Sequence, residues 1–146
     1  MFDLARTELE IAAPLEVVWA VLVDIALYPE WNPFMPRIDG VLEPGAHIHL
    51  HVALDPGRPP RRDPERVDAV VANQELVWTS LLLPSWLLRT QRTQRVTALA
   101  NGRTRYTSVE QMGGPLSPLV WLVAHAKVQR GFEATAQALR QRAESL

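Results

Sequence analysis

Few of the 146 residues carry side chains suited to chemistry, and the most conspicuous of them are three alternating histidines in HIHLHVAL, residues 47–54. His47, His49 and His51 fall at i, i+2 and i+4, which places them on one face if the segment is a strand. Neighbours on one strand face stand about 6.6 to 7 Å apart, so two imidazoles could share a tetrahedral zinc ion. The surrounding residues do not complete a coordination shell. The further ligand on the next strand is Asp68, which falls opposite His51 if the two strands pair symmetrically about their connecting loop; a surface ion pair of little energetic weight is the expected outcome. No metal is expected, and the three histidines are expected to face solvent.

The remaining candidates are His125, Glu110, Arg92 and Tyr106. His125 lies on the apolar stripe of a C-terminal helix, and strand alternation brings the other three near an inner face. General acid–base catalysis needs such groups within hydrogen-bond reach of a substrate, so His125 and Glu110 are the catalytic candidates. No nucleophile triad, phosphate loop or metal signature accompanies them. The chain has no cysteine, which excludes disulfides, thiolate metal sites and a Cys nucleophile. No cofactor is expected.

These residues must be positioned by elements that hydropathy patterning defines. Residues 3–12 read as a strand, since Thr7, Leu9 and Ile11 alternate with Glu8 and Glu10. Pro14 then opens a helix in which Leu15, Val18, Trp19, Leu22 and Ala26 share one side, while Glu16 and Asp24 fall away from it. Pro29, Pro33 and Pro36 cut the next stretch into at most a turn or two of helix, whose Trp31 and Phe34 are expected in core packing ahead of ligand contact. A short strand over 37–43 ends at Glu43-Pro44-Gly45. In 47–54, Ile48, Leu50, Val52 and Leu54 face inward. The segment DPGRPPRRDP, 55–64, reads as an exposed loop with Arg58, Arg61 and Arg62 solvated.

Strands over 65–73 and 74–80 follow and contain Val67, Leu76 and Trp78. The stretch LLLPSWLL, 81–88, lacks alternation and contains Pro84. Its Leu82, Leu83, Trp86 and Leu87 are read as a mobile lid, whose place at a cavity mouth is what the family resemblance described below implies; self-association or folding back onto the core are the alternatives. Strands over 90–99 and 103–112 form a hairpin about Ala100-Asn101-Gly102, with Gly102 in a left-handed conformation. The three-residue loop is the expected one and pairs Val96 with Tyr106, Gln94 with Ser108, and Arg92 with Glu110, whereas a two-residue Asn101-Gly102 turn would move every partner by one and flip the faces. Arg92 and Glu110 would then satisfy each other as a cross-strand pair contributing about 0.2 to 1 kcal/mol. From Pro115 to Glu144 a long helix places Trp121, His125, Val128, Phe132, Ala136, Leu139 and Ala143 on one stripe. Gly131 costs about 1 kcal/mol against Ala in such a helix, so it marks a close approach.

Composition limits the function classes. The chain is 47% hydrophobic and 21% charged, with a net charge of −1, which suits one globular domain over 1–146 and gives no electrostatic footprint for nucleic acid. Asp3, Arg6 and Glu8 interrupt what a signal peptide would need, so a cytoplasmic location is expected. The longest apolar stretch, 76–88, is interrupted by Pro84 and falls short of the roughly 20 residues a transmembrane helix requires.

The order of strand, Ala13-Pro14, helix, Asp24 and Tyr28-Pro29-Glu30-Trp31-Asn32-Pro33 resembles the START-related, birch-allergen-like superfamily (SRPBCC), whose bacterial members include polyketide cyclase/dehydrase proteins. Val67, Leu76-x-Trp78, Thr104-Arg105, Glu110, Gly131-Phe132 and Leu139 extend the resemblance from about residue 5 to 145. Ser108 stands where many relatives carry His. The resemblance implies an α+β helix-grip fold: a seven-stranded, curved antiparallel sheet wrapped around a long C-terminal helix, with two short helices after the first strand. It also implies a cavity between sheet and helix. The expected lining is Ile48, Leu50, Val52, Val67, Trp78, Leu82, Trp86, Val96, Tyr106, Trp121, His125, Val128 and Phe132. The expected function is that of a carrier or sensor binding a small hydrophobic or amphipathic molecule without turnover, with His125 as polar anchor. A polyketide cyclase/dehydratase and a non-catalytic interaction module, which would need an outer apolar patch at 81–88, are the alternatives.

Overall fold

The computed structural model describes all residues, 1–146. Its elements follow the expected order: β1 (Phe2–Ile11), α1 (Leu15–Val23), a 3-10 turn (Ile25–Leu27), α2 (Tyr28–Trp31), β2 (Arg37–Asp39), β3 (His47–Val52), β4 (Arg61–Val71), β5 (Glu75–Ser80), β6 (Arg89–Ala98), β7 (Thr104–Gly113) and α3 (Ser117–Glu144). The seven strands form one antiparallel sheet in the order β1-β7-β6-β5-β4-β3-β2. The fold is the α+β helix grip, with the curved sheet closed over α3 and the two short helices after β1.

Strand alternation builds the inner face. Ile48, Leu50 and Val52 of β3 are buried, as are Val67, Leu76, Trp78, Val96 and Tyr106 from the neighbouring strands. In α3 the apolar stripe holds only for the C-terminal half, where Phe132, Ala136, Leu139 and Ala143 are buried with Gly131 and Thr135. A Cβ on Gly131 would stand 2.2 Å from Cε1 of Phe34, and the Phe34 and Phe132 rings meet edge to face at 6.2 Å. The glycine therefore sets the depth at which α3 seats on the segment after α2. Along the first turns of the helix, Leu119, Trp121, Leu122 and Val123 are exposed.

The β6–β7 hairpin has the expected register, with Val96 opposite Tyr106, Gln94 opposite Ser108 and Arg92 opposite Glu110. Leu99 N–H donates to the Arg103 carbonyl, and both Asn101 and Gly102 adopt positive φ, 61° and 70°.

The β3–β4 connection differs from expectation. β4 begins at Arg61, so the second half of the segment read as a loop is strand, and the register pairs His51 with Arg62 and not with Asp68. Pro64 is accommodated because it lies beyond the last β4–β5 ladder pair, Glu65–Ser80, where its carbonyl accepts from Leu81 N–H. Asp68 sits at a bulge between Val67 and Ala69 and binds Arg66, Thr79 and Gln91. His51 instead meets Asp39 at 2.8 Å. His47 is exposed and His49 half-buried, and no group of three or more His, Asp or Glu side chains is placed to hold a metal ion. No helix is long and apolar enough to cross a membrane.

Candidate functional site

The N-terminal half of α3 does not close onto the sheet, and a cavity of about 560 Å³ lies between them. Sixteen of the 24 lining residues are hydrophobic, so the space suits an apolar body. Leu50, Val52 and Leu54 form one wall, Trp78 part of the floor, and Val120, Val123, Ala124, Val128 and Phe132 of α3 the roof. Phe34 and Met35 contribute as well; Phe34 is thus both a core residue and a cavity residue. Leu82, Leu83 and Leu88 stand at the mouth.

Alternation within the strands also projects polar groups into this apolar space. Asp63 and Glu65 share the inward parity of Val67 on β4, Thr90 and Arg92 project from β6, and Glu110 projects from β7. Near the opening, charges are paired: Arg61 with Asp63 at 2.9 Å, and Lys127 of α3 with Asp55 at 2.7 Å. Deeper in, Arg92 is 3% exposed. Its Nε donates to Ser108 Oγ at 3.0 Å, and its Nη2 has no hydrogen-bond partner. The guanidinium lies 4.2 Å from the Phe132 ring centre and 5.8 Å from that of Trp78, where ring quadrupoles attract a cation.

The expected Arg92–Glu110 pair is therefore corrected. The two residues are opposite in the ladder, but Arg92 leans along the face to its diagonal neighbour, Ser108, which is within reach of a long side chain. Glu110 is left without that partner, and burial raises its pKa while Arg92 lowers it. Glu65 is 5% exposed and its pKa is pushed up to about 9, first by burial and then by the neighbouring carboxylates of Glu110 and Asp63. It keeps its proton at neutral pH and can donate a hydrogen bond, as a carboxylate cannot.

Of the residues expected to line the cavity, Leu50, Val52, Trp78, Leu82, Val128 and Phe132 do so, and Glu110 is with them. Ile48, Val67, Val96 and Tyr106 belong to the closed core instead, with Tyr106 Oη donating to Gln94 Oε1 at 2.6 Å. Trp86 is 74% exposed at the rim. Trp121 and His125 lie outside the cavity: their rings stack 3.9 Å apart, and His125 Nδ1 donates to the Trp121 carbonyl at 2.7 Å. On an ideal helix Trp121 falls within about 20° of Phe132, so the stripe is continuous; the difference arises because the N-terminal half of α3 stands off the sheet, and only the C-terminal half of the stripe is buried. Sequence reasoning missed Glu65, Asp63 and the free Nη2 of Arg92. The parity of Glu65 with Val67 was a usable signal; Asp63 lay in the stretch taken for a loop.

The exposed apolar side chains also gather here. Leu81, Leu82 and Trp86 from the 81–88 segment and Leu119, Trp121, Leu122 and Val123 from α3 are all exposed. The two segments are joined where Leu116 N–H donates to the Leu87 carbonyl. The outer apolar patch thus extends well beyond the 81–88 stretch.

No curated protein matches the chain in sequence. Solved structures resemble it at low identity. The Zhui aromatase/cyclase from a Streptomyces species superposes with a TM-score of 0.74 at 20% identity, covering 96% of this chain and 92% of that one. The XoxI protein from Bacillus cereus gives 0.72 at 18% identity, over 97% and 95% of the two chains. A Bacillus halodurans protein solved in solution gives 0.66 at 23% identity, over 97% and 96%. These likenesses establish the fold. Residues 4–144 match the family described as polyketide cyclase/dehydrase and lipid transport, and with the match spanning nearly the whole chain, this protein belongs to that family.

Proposed function

We propose that the protein binds one small apolar or amphipathic molecule between the sheet and α3, as a carrier or sensor, without transforming it. The observation that carries this reading is the open, mostly apolar cavity of about 560 Å³ between the sheet and α3. Burying roughly 300 Å² of apolar ligand surface contributes on the order of 7 to 8 kcal/mol before association costs, sufficient for micromolar affinity when those costs are modest. The polar groups are few, as in sites where most lining residues supply burial and a handful fix orientation.

N-phenylnaphthylamine, an apolar fluorophore that brightens out of water, tests the reading directly. Saturable micromolar binding of one probe per chain is expected, and Val128→Trp, which fills the cavity from its roof, should abolish it. Binding that survives Val128→Trp in a folded protein would place the site elsewhere.

An enzymatic reading, a cyclase or dehydratase in the same cavity, draws support from one observation: Glu65 is a buried acid that holds its proton at neutral pH. Glu110, which lines the same cavity without a salt bridge, is the candidate base left to it, since Asp63 is engaged by Arg61, Asp55 by Lys127, and His125 stands outside. Loss of turnover in Glu65→Gln with ligand affinity intact would favour that reading over simple binding.

A further inference from the structure

Arg92 is a buried cation at the inner end of an apolar cavity, with one hydrogen bond, to Ser108, and a free Nη2. Burying a guanidinium without a counter-charge is costly, and such groups are normally paired. No carboxylate around it is hydrogen-bonded to it. Three carboxyl groups line the cavity nearby: Asp63, already bound to Arg61, and Glu65 and Glu110. Glu65 is neutral at neutral pH, and Glu110 is shifted toward the neutral form. The contacts with Phe132 and Trp78 lower the cost of the cation without satisfying its N–H groups.

We infer that the ligand carries an anionic oxygen group, a carboxylate on an apolar body, whose oxygens accept from Arg92 while the body fills the space under α3. This rests on the binding reading above and names the class of ligand for that same site. A neutral hydroxyl or carbonyl could accept one such hydrogen bond, but a carboxylate also brings an opposite charge and can meet the planar guanidinium with two parallel hydrogen bonds. Glu65 and Glu110, when protonated, donate to the same group and do not repel it. The buried arginine thus acts as the selectivity element of an otherwise undiscriminating apolar cavity.

Decanoate and 1-decanol share an apolar tail and differ in charge at the head, so their affinities measured by calorimetry near neutral pH separate the two claims. Decanoate should bind at least about tenfold more tightly to the wild-type protein, and Arg92→Gln should remove that advantage while the alcohol still binds. Arg92→Lys, which keeps the charge, should retain most of the preference. Should Arg92→Gln fail to fold, Arg92→Met serves, since its apolar chain preserves contact with Phe132. Equal binding of the two probes to wild type would overturn the anion assignment while leaving the cavity reading intact. A preference that survives in folded Arg92→Gln or Arg92→Met would also overturn it. Failure of both probes to bind would overturn the cavity reading together with the ligand class.

Discussion

Glu65 and His125 show how environment, more than residue type, decides what a side chain can do. The carboxyl of Glu65 is protonated in the folded protein up to about pH 9, whereas in the unfolded chain it ionises near pH 4.5. Over that interval the folded state binds more protons, so stability falls as pH rises, with a limiting slope of about 1.4 kcal/mol per pH unit. Glu65→Gln should therefore match wild type in denaturant unfolding at pH 5 and be more stable at pH 8, by up to about 4 kcal/mol; equal stability at both pH values would contradict the burial-driven shift. His125 owes its candidate role to its place on the helical stripe, but the half of α3 that carries it is raised from the sheet. Its ring stacks on Trp121 and bonds to a carbonyl of its own helix, so His125→Ala should change ligand affinity by less than about 0.5 kcal/mol. A tenfold loss would return it to the site.

At the scale of elements, Ala100-Asn101-Gly102 marked the hairpin of β6 and β7 but left two registers open, and the resemblance, with apolar residues at Val96 and Tyr106, decided between them. β4 was not, because Pro64 and three arginines in residues 55–64 disguise a strand start, and that concealed Asp63 as a cavity residue. Gly131 was legible as a contact point and carries a prediction. Ala there would gain about 1 kcal/mol of helix propensity but would drive a methyl into the buried Phe34 ring, and overpacking of this kind costs more than propensity returns. A net destabilisation of about 1 to 3 kcal/mol by thermal unfolding is expected for Gly131→Ala; unchanged or increased stability would contradict the contact. The 81–88 segment is hydrogen-bonded at its ends, through Leu81 to Pro64 and through Leu87 and Leu88 to Pro84. Amide exchange should accordingly be slow at Leu81 and Leu88 and fast at Leu83 and Trp86, with any gating motion confined to the middle of the segment. Uniformly slow exchange would mean the mouth is closed by a rigid wall.

For the molecule as a whole, a sheet closed over one long helix makes a complete core at one end and leaves a space at the other. The strands and the α3 stripe were readable from periodicity, and their assembly into a grip from the family resemblance that Tyr28-Pro29-Glu30-Trp31-Asn32-Pro33 carries. The division of that helix into a packed half and a raised half was not, since Trp121 and Phe132 look equivalent in a stripe and differ only in what lies beneath them. The polar interior was unreadable for a related reason: Arg92 and Glu110 are correctly opposed, yet which neighbour a long side chain chooses depends on Phe132 and Ser108 being in place. The central claim is that the raised half of α3 shelters a ligand. Extraction of the purified protein with organic solvent, followed by mass spectrometry of what it releases, tests this most directly. A small apolar or amphipathic molecule in near-stoichiometric amount is expected from the wild-type protein and none from folded Val128→Trp; the same molecule recovered equally from both would place the ligand elsewhere.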